Sequence, residues 1–194
     1  MKSESAVRCG SRRMLCALLL FGLAGAAGAN ELDINFHSDA VRFTGAWEVT
    51  GQLRADAGWM HHTDDGDVGH IGIHLVDLAT GGTQPITAGL GGRFVYFDSD
   101  RRNRSGGAVP LGGFFRFNLA DADRFHVGGY GYWAPSVLSF ANGDGYRELG
   151  AFVGYEVLRQ GSVYLGWRNI HVDFDNRPSV TIDSGFHLGL RIRF

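Results

Sequence analysis

Apolar and polar residues alternate along the last segment of the chain. The apolar positions are Val180, Ile182, Phe186, Leu188, Leu190, Ile192 and Phe194, and polar or small residues occupy most positions between them. A period of two with one apolar face predicts a β-strand. In a soluble sandwich this face would point inward, whereas in a membrane barrel it would meet lipid and the polar face would line the interior. The periodicity alone leaves both alternatives open.

Seven further segments repeat this pattern. They are residues 49–59, 69–78, 86–97, 109–119, 125–133, 147–158 and 162–172. A weaker pair precedes them, with Leu32, Ile34 and Phe36 in one half and Val41 and Phe43 in the other. The pattern predicts an all-β protein, a closed antiparallel transmembrane β-barrel. We favour ten strands, eight strong ones and this N-terminal hairpin, over eight strands with the hairpin at the rim or inside the lumen.

The segments between the predicted strands alternate in length. Residues 79–84, 120–124 and 159–161 are short or compact, while 62–68, 98–107, 134–146 and 175–179 are longer and polar. Outer-membrane barrels have short periplasmic turns and longer external loops. The alternation therefore predicts a periplasmic C-terminus, with all the longer segments outside.

Aromatic residues collect near the predicted strand ends, as in the girdles at membrane interfaces. The predicted outer girdle comprises Trp59, Tyr96, Trp133, Tyr146 and Trp167, and the inner one Phe117, Phe125 and Phe194. The alternative is that strands simply favour aromatic residues.

The first 29 residues have the features of an export signal. Lys2, Arg8, Arg12 and Arg13 precede an apolar run that ends in small residues up to Ala29. We therefore predict a signal peptide over residues 1–29 and an outer-membrane β-barrel over residues 30–194. Cysteine occurs only within the predicted signal peptide, so the mature chain would have neither a disulfide nor a cysteine metal site.

Charge narrows the class of partner. Without residues 1–29 the chain keeps 14 basic and 19 acidic residues, a net charge of −5, and all the basic residues are arginine. This acidic balance argues against nucleic acid as a partner. Arginine forms planar, bidentate contacts, which suit fixed internal ion pairs.

Charged residues alternate with the apolar positions that would face lipid. The predicted lumen-lining residues are Arg54, Asp56, Arg93, Arg116, Glu148, Glu156, Arg168, Asp183, Arg191 and Arg193. A small barrel has an interior that side chains can fill. The sequence therefore predicts a structural outer-membrane protein whose lumen is plugged by pairs of arginine and carboxylate. A narrow channel for small solutes is the alternative.

A hydrolase at the barrel rim is a second alternative. Its candidate residues are Ser136, Ser139, His171, Asp173 and the pair Asp64 and Asp65. None lies in a nucleophile motif such as Gly-x-Ser-x-Gly. The histidines and acidic residues from His61 to Asp67 could bind a cation, but they lack the length and terminal Glu of an EF-hand loop. We expect a solvated acidic turn there, and predict no catalytic, cofactor-binding or metal-binding residue.

One long stretch resembles a known family. Residues 128–148, which include Tyr132-Trp133-Ala134-Pro135 and end in Glu148, are similar to the YfaZ family of outer-membrane proteins, as is the acidic segment from Thr63 to Asp67. The terminal strand ending in Phe194 resembles the assembly signal of outer-membrane barrels. The resemblance implies location in the outer membrane of a Gram-negative bacterium and a barrel architecture, but no activity.

The expected partners follow from that location. They are outer-membrane lipid, lipopolysaccharide, whose phosphates Arg101, Arg102 and Arg104 could bind bidentately, and the barrel assembly machinery, reached through the C-terminal strand. No cofactor or nucleic acid is expected, and we predict a monomer.

Overall fold

Twelve β-strands and one short 3-10 turn account for most of the chain that the computed structural model describes, which is residues 30–64, 66–79, 86–99, 104–119, 122–174 and 177–194. The predicted signal peptide lies outside these residues. The strands are β1 Glu31–Phe36, β2 Ala40–Thr50, β3 Leu53–His62, β4 Gly66–Ala79, β5 Ile86–Ser99, β6 Arg104–Ala108, β7 Leu111–Leu119, β8 Ala122–Ala134, β9 Ser139–Ala141, β10 Gly143–Leu158, β11 Gly161–Phe174 and β12 Arg177–Arg193, with the 3-10 turn at Ser136–Leu138. No helix in the described ranges is long and apolar enough to cross a membrane.

Ten strands form a closed antiparallel barrel, which confirms the predicted fold and strand number. Around the barrel the order is β4, β3, β2, β1, β12, β11, β10, β8, β7 and β5, and β5 pairs with β4 to close it. The weak N-terminal hairpin forms β1 and the start of β2. In the ladder between β1 and β12, Leu32 pairs with Ile192 and Phe36 with Leu188.

The two remaining strands, β6 and β9, extend the wall beside prolines. β5 pairs first with β7 and then with β6, and the Arg93 N–H donates to the Pro110 carbonyl between them at 3.0 Å. β9 pairs with β6 after Pro135 interrupts the continuation of β8. Because proline has no N–H to donate to a ladder, each proline divides what would otherwise be one long strand.

Two sequence-based boundaries were wrong. The predicted strand 49–59 contains a turn at Gly51 and Gln52, because β2 continues to Thr50 and β3 begins at Leu53. The alternation of Val49 and Leu53 continues across this turn and conceals it.

The predicted longer loops are also largely strand, since 134–146 contains the 3-10 turn, β9 and the start of β10. Loop length therefore does not distinguish the two ends of the barrel.

Both described chain ends lie at one end of the barrel, where the Phe194 N–H donates to the Asn30 carbonyl at 2.9 Å. We call this the terminal end and the opposite one the distal end. Near the terminal end and through the middle, apolar side chains point outward. In β11 these are Val163, Leu165 and Trp167, each between 39% and 46% exposed. Together such positions form a lipid band around the barrel.

At the distal end this polarity reverses. Beyond Trp167, the outward positions of β11 are Asn169, His171 and Asp173, while Ile170 and Val172 are buried inside. The inward apolar side chains pack into one cluster, which we call the apolar plug. It comprises Met60, Val68, Val95, Phe97, Ala108, Ala134, Tyr146, Ile170, Val172, Phe174, Val180 and Ile182.

Because of this reversal, three sequence-based predictions of side-chain orientation were wrong, two in the C-terminal strand β12 and one in the aromatic girdle. Val180 and Ile182 were predicted on the lipid side with Phe186, but they are buried at 7% and 0% exposure. The register with β11 shifts at this point, since Ile170 pairs with Asp183 and His171 with Thr181. This bulge changes which face the following residues occupy. Tyr146 likewise belongs to the plug and not to an outer girdle.

Candidate functional site

The barrel interior below the apolar plug is lined by charged and aromatic side chains. Because side chains on a strand alternate between its faces, the same alternation that sends apolar residues to lipid sends polar ones inward. The structure places all ten sequence-predicted lumen residues on inward positions. They are Arg54 and Asp56 on β3, Arg93 on β5, Arg116 on β7, Glu148 and Glu156 on β10, Arg168 on β11, and Asp183, Arg191 and Arg193 on β12.

Glu148 is the centre of a buried ion cluster next to the plug. Arg42 Nη1 donates to its Oε1 at 2.6 Å, and the Tyr146 hydroxyl donates to its Oε2 at 2.9 Å. Arg93 Nη1 lies 3.7 Å from the same Oε2. The Glu148 side chain is only 2% exposed, so these partners, and not water, compensate its buried negative charge.

Asp56 is the centre of a second cluster. It lies 2.9 Å from His70 Nε2, 2.9 Å from His74 Nδ1 and 3.2 Å from Arg93 Nη2. Arg93 therefore joins Asp56 to Glu148, and its guanidinium carbon stands 4.0 Å from the centre of the Tyr132 ring. The Tyr132 hydroxyl in turn lies 2.9 Å from His74 Nε2 on β4, which fixes the position of the ring.

A third cluster joins the first strand to the last two. Arg168 donates from Nε to Asp183 Oδ2 at 2.6 Å and from Nη1 to Asn35 Oδ1 at 2.9 Å. On the same strand as Asn35, Asp33 accepts the Tyr164 hydroxyl at 2.6 Å. Charged hydrogen bonds thus connect β11 and β12 with β1, where the first strand pairs with the last.

Toward the terminal end the ion pairs become more accessible. Arg191 Nε donates to Asp33 Oδ2 at 2.9 Å, and Arg54 Nη2 donates to Glu31 Oε1 at 2.7 Å. Arg193 is 41% exposed and Arg54 30%, against 1% for Arg168 in the third cluster. The charged interior is therefore more accessible to solvent toward the terminal end than next to the plug.

A cavity of about 510 Å³ occupies this accessible part of the lumen. We call it the terminal cavity. Its wall includes Glu31, Asp33, Asn35, Arg42, Arg54, Asp56, Arg93, Phe114, Arg116, Tyr130, Tyr132, Phe152, Glu156, Tyr164, His187, Arg191 and Arg193. A volume of this size is within the range of small-molecule sites.

Glycines make room for the large interior rings. A Cβ at Gly58 would lie 2.3 Å from the His70 ring, and one at Gly150 would lie 2.4 Å from the Tyr130 ring. Both distances are far below van der Waals contact, so these rings fill the space that a side chain would need.

Sequence reasoning missed the contribution of the N-terminal hairpin to the lumen. Glu31, Asp33, Asn35 and Arg42 all point inward and partner predicted residues. The signal was present, because polar and apolar residues alternate strictly from Glu31 to Phe36. The favoured ten-strand barrel already includes this hairpin in its wall, so the rule of alternation also places its polar face inside.

The residues considered for a rim hydrolase do not assemble into a described site. The Ser139 hydroxyl donates to the Pro135 carbonyl at 3.2 Å. His171 lies on the outer face of β11, 3.2 Å from Thr181 Oγ1 and 3.5 Å from Asp173 Oδ1. Asp65 is outside the described residues.

The acidic segment after β3 forms local contacts. His61 Nδ1 lies 2.9 Å from Asp67 Oδ1, and the Asp64 N–H donates to His62 Nδ1 at 3.3 Å. In the part of the chain that the structure describes, no three His, Cys, Asp or Glu side chains are arranged to hold a metal ion. Arg101 and Arg102, expected to meet lipopolysaccharide, lie outside the described ranges, and the Arg104 side chain is likewise not described.

The chain is similar to known outer-membrane proteins. A family model described as YfaZ precursor matches residues 11–194. Outer membrane protein YfaZ of Escherichia coli (strain K12) is 31% identical over 149 residues, which cover 76% of this chain and 77% of that protein. Neither description names a catalytic activity. No solved structure matches the chain.

Proposed function

The chain belongs to the YfaZ family of outer-membrane proteins, and on this premise we propose that it is a structural barrel that does not conduct solutes. The observation that carries this proposal is the apolar plug, whose side chains are between 0% and 7% exposed. In this proposal the lumen is closed at the distal end by the plug and open at the terminal end.

Aromatic rings form the centre of the plug. Phe97 stacks on Tyr146 with ring centres 6.3 Å apart and meets Phe174 edge to face at 5.8 Å. Small barrels have interiors that side chains can fill, and these three rings come from β5, β10 and β11. A hydrated ion passing through would have to displace these rings, which lose their packing contacts when they separate.

The ion clusters below the plug add a second obstacle. Arg93 links the two central carboxylates, and Arg168 links β11 to β12 and to β1. Removing one partner of such a buried pair is costly, because the other charge is left uncompensated. The network therefore favours a fixed lumen over one that opens by rotating side chains.

We place the terminal end in the periplasm. An exported chain reaches the outer membrane from the periplasmic side, and this arrangement requires neither chain end to cross the bilayer. The polar outward residues of the distal end would then project from the outer leaflet toward the medium.

Conductance in planar bilayers tests the proposal. Purified, refolded protein should give no steady single-channel steps, while a porin inserted under the same conditions serves as the positive control. Insertion itself is checked by the change in gel mobility that folded barrels show on boiling. Steady steps from the inserted protein would contradict the closed lumen and favour the alternative, a narrow channel, for which the terminal cavity would be the vestibule.

A rim hydrolase has less support, since Ser139 and His171 are occupied by different neighbours. Hydrolysis of lipid or peptide that disappears in Ser139→Ala would overturn the non-enzymatic assignment.

The proposed partners follow from the surface of the barrel. The lipid band would contact outer-membrane lipid and lipopolysaccharide, and β12 with Phe194, which is 69% exposed, would be presented to the assembly machinery. We propose a monomer, because every strand of the barrel has a neighbour on both sides within the chain.

A further inference from the structure

The mouth of the terminal cavity has more positive than negative side chains. Four arginines, Arg54, Arg116, Arg191 and Arg193, share the three carboxylates of Glu31, Asp33 and Glu156. The two deeper arginines of the wall, Arg42 and Arg93, are balanced by Glu148 and Asp56. Among the described side chains, the mouth therefore has one more positive than negative group, although the mature chain is acidic overall.

Two of these four arginines share a single carboxylate oxygen. Glu156 Oε1 accepts Arg116 Nη2 at 2.9 Å and Arg193 Nη2 at 2.8 Å. Within the described residues, neither guanidinium has a hydrogen bond to any other side chain. Each guanidinium carries five N–H donors, so most of those on this pair remain available to a ligand.

Aromatic rings stand beside these cations. Phe114 and Phe152 line the cavity, with the guanidinium of Arg54 5.5 Å from the centre of the first ring and that of Arg191 4.9 Å from the second. His187 lines the same wall, is 5% exposed, and has an Nδ1 with no hydrogen-bond partner among the described residues. The wall thus combines anion-binding groups, an apolar surface and one unsatisfied polar atom.

We infer that the terminal cavity binds a small organic anion, a carboxylate or phosphate ester with a flat apolar or aromatic group. The anionic end contacts Arg116 and Arg193, which bind such groups through charge-assisted hydrogen bonds. The apolar part packs on Phe114 and Phe152. This inference goes beyond the structural role proposed above and does not depend on whether the barrel conducts.

Calorimetric titration of the folded barrel in a non-ionic detergent provides the test, with phenyl phosphate as the probe. We expect one phenyl phosphate per barrel, bound more tightly than inorganic phosphate, and no binding of the uncharged phenyl glucoside. Arg116→Gln should weaken binding by about tenfold, the effect of losing one charge-assisted hydrogen bond. Glu156→Gln should strengthen binding, because it releases both guanidiniums from their shared carboxylate.

The opposite signs of these two changes separate binding from a merely structural effect, since loss of structure would weaken binding in both variants. Arg147→Gln is the matched control, because it removes the same charge from an exposed outward position on β10 and should leave binding unchanged. The folded state of each variant is checked by its gel mobility before and after boiling.

Several results would overturn the inference. They are no binding of phenyl phosphate by the folded native barrel, native affinity in Arg116→Gln, and weaker binding in Glu156→Gln. Phenyl phosphate that binds no more tightly than inorganic phosphate would refute the aromatic part. Channel steps in the bilayer experiment would refute the closed lumen alone, so the two proposals fail independently.

Discussion

The lipid band and the distal end of this barrel have opposite polarity, although the same strands run through both. In β11 the band has Leu165 outside and Arg168 inside, while the distal end has His171 outside and Val172 inside. The difference follows from what surrounds the wall. Where lipid surrounds it, apolar side chains belong outside, and where water surrounds it, the ordinary rule of a buried apolar core returns.

The chain changes polarity in two different ways. In β11 the backbone alternation is unbroken and the residue pattern itself shifts, from Val163, Leu165 and Trp167 to Ile170 and Val172. In β12 the residue pattern keeps its phase, and the bulge at Ile182 changes the face instead. A phase shift in the sequence and a bulge in the backbone are thus equivalent means to one result.

Ion pairs hold the interior together next to the plug, whereas apolar packing holds the plug itself together. Among single substitutions that test this contrast, Glu148→Gln should give the largest effect. Gln cannot compensate the buried guanidinium of Arg42, so we expect a loss of about 3 to 5 kcal/mol in the free energy of unfolding. Urea unfolding in detergent micelles, followed by tryptophan fluorescence, measures this. Asp144→Asn on the exposed face of the same strand is the control and should change stability by less than about 0.5 kcal/mol.

The outer surface can be compared on a single face of β11. Leu165→Arg puts a charge at the centre of the outward apolar run, where we expect a loss of about 2 to 4 kcal/mol. Asn169→Arg places the same residue four positions further along that face, beyond the lipid band, and should have little effect. The measurement is unfolding from lipid vesicles, and equal losses in the two variants would contradict the proposed limit of the band.

A smaller effect distinguishes the two ends of β12. Ile182→Val removes a methylene from the apolar plug and should destabilise the barrel by about 0.5 to 1.5 kcal/mol. Ile192→Val removes the same group from a residue that is 44% exposed in the lipid band, where lipid can fill the space. The same unfolding assay should detect the first loss and not the second. If the two losses were equal, the plug would not be packed as a core.

The candidate site was only partly foreseeable. The alternation of the strong strands placed Arg54, Glu156 and Arg193 inside, because one face of each strand is apolar. It did not identify the pairs, since Glu156 comes from β10 and Arg116 and Arg193 come from strands on either side of β10 and not from its own sequence neighbourhood. The terminal cavity was not predicted at all, because it depends on the space that these pairs leave free.

The sequence by itself determined the class of fold, the strand number and the location, because period-two alternation and the family resemblance are properties of consecutive residues. Only the tertiary structure decided where the polarity reverses in β12, which charges meet and which end of the barrel holds the apolar plug. The physical reason is that barrel closure brings distant strands together, so that Arg42 reaches Glu148 across 106 positions of the chain. The bulge that turns Val180 and Ile182 into the lumen is likewise a matter of register between β11 and β12, which the alternation of β12 alone does not reveal.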